Sequence, residues 1–231
     1  MKKFYDKTTN LEWLLFSAEE SKYDPEFLHN IKTINEWSSH PLMKRFISKS
    51  SKIGDLLNEF FQLLSNMDLY FIKRDGVLVG ATLIAKETHI AKVTELKDYI
   101  INKKYNNIPL EDFKIDNEQF LNLPDVFKIL KNSKKSNLYI EYLLVAPEYH
   151  GKGIGTSIST SIKNNIGFFE DINKVGIIQA AIDNENIGSR KALLKNGFKK
   201  MLPCETSQSY STYYFTPRKI QNSKDIIHEK L

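Results

Sequence analysis

A single cysteine, Cys204, stands among 231 residues. The chain therefore cannot close an internal disulfide, and its stability has to come from a packed interior. No patterned histidine and asparagine accompany that thiol, so it reads as an inert loop residue rather than a nucleophile. No apolar run approaches the length needed to cross a bilayer. Trp13 to Phe16 is too short for the apolar core of a secretory leader, and Asp6 and Glu12 interrupt the basic start at Lys2 and Lys3. The expectation is a cytoplasmic protein with no membrane partner. Charge of one sign is scarce as well: 33 Lys and Arg face 28 Asp and Glu, a net of +5. The basic residues are spread among acids, whereas nucleic acid would call for a clustered stripe with stacking aromatics. Even the densest basic run, Lys131 to Lys135, reads as a solvated loop. There is no internal repeat and no low-complexity tract, and nothing calls for a metal.

What is present suits one globular unit. With 41% hydrophobic residues over its length the chain can bury a sizeable core, and it is small for two independent domains. Its most informative stretch runs from Leu138 to Thr156. Tyr139, Ile140, Tyr142 and Val145 favour a strand, which Pro147 ends by removing a ladder donor. Beyond it, Ile154, Ile158, Ile162 and Ile166 recur every fourth position and give a helix one apolar face. Between strand and helix lie Gly151, Gly153 and Gly155. Without Cβ atoms they let backbone N–H groups approach a ligand at a helix N-terminus, where unpaired donors and the helix dipole favour phosphate. The spacing excludes two familiar phosphate loops. Lys152 lies between glycines and Thr156 does not follow it, so this is not G-x-x-x-x-G-K-[ST]; the glycine interval also differs from G-x-G-x-x-G.

His150-Gly151-Lys152-Gly153-Ile154-Gly155 resembles the acyl-coenzyme A loop of the GNAT superfamily of N-acetyltransferases, [QR]-x-x-G-x-[GA]. Its first position departs from the family preference, although His150 still offers a ring donor and a backbone N–H. A second segment strengthens the likeness. Val175 to Ile182 reads as a buried strand, and the residues from Asn186 to Phe198 read as an N-cap, a short helix and a terminal glycine. They resemble the family's N-x-x-[AS]-x-x-x-Y-x-x-x-G-F, with Asn186, Ser189, Gly197 and Phe198 in register. The tyrosine, whose hydroxyl protonates the departing thiolate in the family, is replaced by Leu193. A thiol has a reference pKa of ~8.5, so its anion is a tolerable leaving group and an acid is helpful rather than compulsory.

The resemblance implies an α/β fold: a central, mostly antiparallel mixed sheet, splayed between its fourth and fifth core strands and flanked by helices. It further implies that acetyl-CoA is the co-substrate and that an amine attacks its thioester directly in a ternary complex. The acceptor would be a small-molecule or peptide amine. By the same resemblance, backbone groups of Leu143 and Val145 pair with the pantetheine arm, and the Leu143 N–H donates to the thioester carbonyl as it becomes an oxyanion. His150, Gly151, Lys152, Gly153, Ile154, Gly155 and Thr156 hold the pyrophosphate, while Asn186 and Ser189 make further cofactor contacts. Glu141 is the candidate base, placed by strand alternation on the face of Leu143, with Tyr142 on the opposite, core face. Its alternative is a carboxylate that only attracts a cationic acceptor. Two other function classes stay open: a non-catalytic acyl-CoA sensor, motivated by Leu193, and a toxin of this type that acylates aminoacyl-tRNA.

Elsewhere, Leu69 to Ala85 contains two apolar runs joined by Asp75-Gly76, a strong hairpin signal that resembles the second and third core strands. Trp13 to Ser65 is expected to contain helical stretches, most clearly Ile53 to Leu64. An insertion at about 88–136 separates the third and fourth core strands, with Val93 to Lys103 and Val126 to Leu130 reading as helices, and Asn106 to Pro109 and Asn122 to Pro124 as turns. A lid, a surface elaboration and a homodimer contact are its three readings. The last strands are expected at Phe198 to Leu202 and Tyr210 to Thr216, followed by a mixed-charge tail from Arg218. The whole chain, 1–231, is expected to be a single domain.

Overall fold

The computed structural model describes residues 1–16, 23–44, 67–87, 120–121, 136–172, 174–201 and 210–215. The chain opens with a hairpin of β1 (Lys2–Asp6) and β2 (Leu11–Leu15). Asp6 shapes its turn by accepting from the Thr8 N–H at 2.9 Å and the Thr9 hydroxyl at 2.7 Å, and Asn10 takes a positive φ of 55°. Helix α1 (Pro25–Ser38) follows, started by Asp24, whose side chain accepts from the Phe27 N–H, and by Pro25 in the first turn. It buries Phe27, Ile31, Ile34 and Trp37 along one stripe. After the short α2 (Pro41–Lys44) come β3 (Met67–Arg74) and β4 (Val77–Glu87). These pair around Asp75 and Gly76, both at positive φ, as the sequence anticipates.

The two-residue β5 (Phe120–Leu121) precedes β6 (Ser136–Val145), a single 3-10 turn at Pro147–Tyr149, helix α3 (Ile154–Asn164) and the short α4 (Ile166–Phe169). Then come β7 (Val175–Asp183), helix α5 (Ile187–Lys195), β8 (Lys199–Met201) and β9 (Tyr210–Phe215). The nine strands form one sheet in the order β1-β2-β3-β4-β6-β7-β9-β8-β5. Neighbours are antiparallel except for β6 with β7 and β5 with β8. The parallel pair needs a crossover, which α3 and α4 supply.

Two apolar clusters lie on opposite sides of the sheet. One joins the sheet to α3, α4 and α5 through Ile154, Ile158, Ile162, Ile166, Phe169 and Leu193, with Trp13 near its centre. The Trp13 indole N–H donates to the buried Ser161 hydroxyl oxygen at 3.0 Å, and its ring meets Tyr70 and Phe169 edge-on. The other cluster joins the sheet to α1 through Phe27, Ile31, Ile34, Phe71 and Leu83. No helix among the described residues is long and apolar enough to cross a membrane.

Helical stretches within Trp13 to Ser65 are present as α1 and α2, although the span opens on a strand, since Trp13 to Leu15 belong to β2; Trp13 and Leu14 face opposite clusters and fill both sides of a central sheet. Two expectations need correction. The insertion contributes a strand, β5, where no strand is expected. The strand β8 begins at Lys199, one residue after the expected Phe198, while Leu202 and Thr216, the expected last residues of the two closing strands, lie outside the described residues. The helix read at Ile53 to Leu64 lies outside the described residues, as do the helices and turns read in the insertion, Lys131 to Lys135, Cys204 and the tail from Arg218.

Candidate active site

The site begins where the parallel pair comes apart. Pairing of β6 with β7 ends at Ile140↔Ala180, while Ala181, Ile182 and Asp183 continue to pair with β9. On its other side, β6 stays paired with β4 as far as Gly80↔Val145. The segment from Glu141 to Val145 therefore has a ladder on one side and an open wedge on the other. The direction of its backbone groups follows from one bond. Ala146 donates its N–H to the Val79 carbonyl at 3.0 Å, which makes it a hydrogen-bonding position against β4. In the same register, alternation turns the backbone groups of Leu144 and Tyr142 toward β4 and those of Leu143 and Val145 into the wedge. An extended ligand lying in the wedge meets the N–H and C=O of Leu143 and the N–H of Val145, as an added strand would.

Glu141 occupies a special place in that segment. Leu83 pairs with Tyr142 and Ile84 with Ile140, leaving Glu141 as the extra residue of a β-bulge. The simple alternation that placed it on the face of Leu143 does not survive the bulge. Leu138 and Ile140 belong to the same cluster that Leu143 and Val145 pack against, so the facing changes parity across Glu141. The Glu141 side chain is exposed at the splayed part of β6. Tyr142 packs with the α1 cluster, on the opposite side from Leu143, as expected.

The glycine loop lies directly beyond. Gly151 and Gly153 have φ of 74° and 81°, conformations that a side chain would strain, and an added Cβ at either would meet nothing within 4 Å. Gly153 is the N-cap of α3, and the first intrahelical bond runs from the Ser157 N–H to the Gly153 carbonyl at 2.9 Å. The N–H groups of Ile154, Gly155 and Thr156 precede that bond and sit at the positive end of an 11-residue helix. Packing fixes this end against the sheet. A Cβ on Gly80 would lie 2.7 Å from the Leu144 carbonyl oxygen and 2.9 Å from Ile158 Cδ1, so only glycine lets β6 and α3 approach β4 this closely. Lys152 is exposed, with its ammonium 5.6 Å from the centre of the Tyr149 ring.

His150 is engaged by the protein itself. Its Nε2 lies 2.9 Å from the Val145 carbonyl oxygen, and because a carbonyl only accepts, Nε2 carries the hydrogen in this contact. The side chain thus ties the loop back to the end of β6 and occupies one of the wedge-facing acceptors.

The second motif forms α5. Asn186 caps it, its Oδ1 accepting from the Ser189 N–H at 3.1 Å, which leaves the amide NH2 as the group with which Asn186 can reach outward. Leu193 is 3% exposed and belongs to the core, so the position offers neither a hydroxyl nor access. Sequence reading passed over Asn196, a buried side chain that joins the two motifs. Its Nδ2 donates to the carbonyls of Thr156 and Ala192, both at 3.0 Å, and its Oδ1 accepts from the Thr160 hydroxyl at 2.6 Å. The available signal was position: Asn196 directly precedes the helix-ending Gly197, where a polar residue passes for a solvated terminus.

A cleft of about 490 Å³ lined by Glu36, Trp37, His40, Leu42, Pro147 and Glu148 opens at the end of α1. Pro147 and Glu148, which line it, lie just beyond the end of β6. Among the described residues, no group of three or more His, Cys, Asp or Glu could hold a metal ion.

Comparison with solved structures gives these features a frame. The fold is similar to that of AAC(6')-Ib in complex with acetyl-CoA, with 12% identity over 96% of this chain and 98% of that one and a TM-score of 0.56. It is similar to aminoglycoside acetyltransferase AAC(6')-Ib with coenzyme A and kanamycin, with 13% identity over 89% and 94% and a TM-score of 0.55. A third likeness, to the ribosomal-protein-S5-alanine acetyltransferase from Vibrio fischeri, has 11% identity over 95% and 98% and a TM-score of 0.53. The chain has the GNAT fold. In the GNAT fold the splay between β6 and β7 falls at core strands four and five, and the glycine loop and α5 carry the two motifs read from the sequence. No family model matches the chain, and no curated protein matches it in sequence.

Proposed function

We propose that the chain is an N-acetyltransferase that moves an acetyl group from acetyl-CoA to a primary amine by direct attack within a ternary complex. The observation that carries this reading is the continuity of two ligand-shaped features. An open strand edge at Leu143 and Val145 runs straight into an uncapped helix N-terminus behind two positive-φ glycines. A ligand with an extended amide arm and a pyrophosphate fits that sequence of donors; the neighbours that carry CoA or acetyl-CoA support the assignment.

The residues then divide the work. Gly151 to Thr156, with Lys152 beside them, hold the pyrophosphate; Leu143 and Val145 pair with the arm; Asn186 and Ser189 contact the cofactor from α5. The Leu143 N–H donates to the thioester oxygen as charge develops there, a contribution of ~3 kcal/mol when well aimed. An amine of lysine-like pKa, ~10.4, must first lose a proton, at a cost of about 4–5 kcal/mol near neutral pH. Glu141 takes that proton, directly or through water. The amine nitrogen bonds to the acyl carbon and gives up a second proton to solvent, the carbon–sulfur bond breaks, and the thiolate leaves without an acid from α5, because Leu193 has none to give.

The acceptor is a small-molecule or peptide amine, a class that includes the amine groups of kanamycin present in one neighbour. Buried Leu193 also favours a second reading, a sensor that binds acyl-CoA without transfer. The deciding experiment incubates the protein with acetyl-CoA and a panel of polyamines, amino acids, aminoglycosides, peptide N-termini and aminoacyl-tRNA, and follows thiol release. Release that depends on a free amine is the expected result. Tight acetyl-CoA binding with no transfer to any acceptor would leave the sensor, and transfer confined to tRNA would leave the toxin.

A further inference from the structure

We infer that Asn196 is a positioning residue for the cofactor: its buried amide locks the first turn of the anion-binding helix α3 to the end of the second-motif helix α5. The inference rests on the proposed CoA site and adds to it a residue at a position that the second motif leaves unspecified. Asn196 is 5% exposed, and a buried amide is costly unless its polar atoms find partners. Its orientation is dictated by the two carbonyls, Thr156 and Ala192, that lie at 3.0 Å from one side-chain atom; only an NH2 can serve both. The oxygen therefore faces Thr160. That hydroxyl lies within bonding distance of both Asn196 Oδ1, at 2.6 Å, and the Thr156 carbonyl, at 2.9 Å. Its single hydrogen goes to Oδ1, the nearer of two oxygens that can only accept. The backbone of Asn196 is held as well, since Lys163, on α3, donates from Nζ to its carbonyl at 3.2 Å.

The consequence lies in what Thr156 is. It is the third residue of α3, so its position sets where the unbonded N–H groups of Ile154, Gly155 and Thr156 point. Ala192 lies in α5, the helix that Asn186 begins. One amide thus fixes the distance between the two elements that a single cofactor has to touch together. Hydrophobic packing between α3 and α5 would hold them in contact but would not set their relative height along the axis, whereas the directional bonds that Asn196 shares with Thr156, Thr160 and Lys163 do. A preset pair of contacts spares the ligand the cost of ordering them on binding.

The test compares Asn196→Leu, Asn196→Asp and Thr160→Val with the parent, measuring affinity for coenzyme A and for acetyl-pantetheine, which lacks the pyrophosphate. Asn196→Asp retains the shape and the acceptor for Thr160 but loses both donors. The expected result is a coenzyme A Kd about tenfold weaker in both Asn196 variants, the order of one buried donor lost, with the acetyl-pantetheine Kd unchanged and Thr160→Val intermediate. Equal losses for both ligands would make Asn196 an ordinary stabilising residue and overturn the inference, as would variants that bind coenzyme A like the parent. If the Asn196 variants fail to fold, Thr160→Val alone must show the selective loss for the inference to stand. A parent that binds acetyl-pantetheine but not coenzyme A overturns the inference alone; a parent that binds neither overturns the CoA site beneath it.

Discussion

Replacing Gly153 by alanine tests the anion loop with an internal control. At φ 81° an alanine is strained, and nothing lies within 4 Å of the added Cβ, so backbone strain is the whole folding cost. Left-handed backbone costs a residue with a Cβ about 1–2 kcal/mol. For a chain of this size each kcal/mol lowers Tm by about 2–4 °C, so Gly153→Ala should melt about 2–8 °C below the parent. Gly76, in the β3–β4 turn, has φ 78° and is equally free of neighbours. Gly76→Ala should therefore lose the same stability. The two variants part when coenzyme A is added. At a hundredfold excess over Kd, ligand binding should add ~2.7 kcal/mol, or about 5–10 °C, to the parent and to Gly76→Ala. Gly153→Ala should gain little, because in the proposed site its Cβ would stand in the space through which phosphate reaches the first turn of α3. The assay is a thermal melt of three proteins with and without coenzyme A. Equal ligand-induced shifts in both variants would show that the loop is only a connection between strand and helix.

Three further outcomes are expected. Glu141→Gln should leave the acetyl-CoA Kd nearly intact and lower kcat/KM by ~10²–10⁴-fold near neutral pH, recovering in part as pH rises; a raised KM with unchanged kcat would instead mark Glu141 as a cation-attracting group. Leu193→Tyr puts a larger, polar side chain at a site 3% exposed, so it should lose about 1–3 kcal/mol in denaturant melts. If the variant is as stable as the parent, the core has room there, and any gain in kcat would then identify thiolate departure as the slow step. Burial pushes the Asp6 carboxyl up, but hydrogen bonds from Ser161, Thr9 and the backbone N–H groups of Thr8 and Thr9 more than offset it and hold it below its ordinary 3.8. The stability this contributes is present above the unfolded value and disappears as pH falls through the lowered folded one. Asp6→Asn should thus be less stable than the parent at pH 7 and converge with it in acid; a gap that persists below both values would assign the loss to packing.

The strand from Leu138 to Val145, the glycine turn and α3 were legible because local rules agree there: β-forming residues, a proline stop, glycines where φ is positive, and isoleucines at a four-residue spacing that all become buried. The Asp75-Gly76 hairpin and the Asn186 cap were legible for the same reason. The strand through Trp13 was not legible because its neighbours alternate between two buried faces, a pattern that periodicity cannot assign to a strand until the sheet is known to be covered on both sides.

By itself, then, the sequence determined the hairpin of β3 and β4, the order of the elements from β6 to β9 and the residues of the loop, since each depends on contacts within a few residues. Tertiary structure decided the rest. The wedge exists only because β7 leaves β6 after Ala180 to follow β9, and β9 lies 30 residues away from that point. The bulge that breaks simple alternation at Glu141 is defined by β4, and the Asn196 amide acquires Thr156 and Thr160 as partners only when α3 and α5 pack side by side. Long-range pairing sets register and direction, and those quantities have no local code.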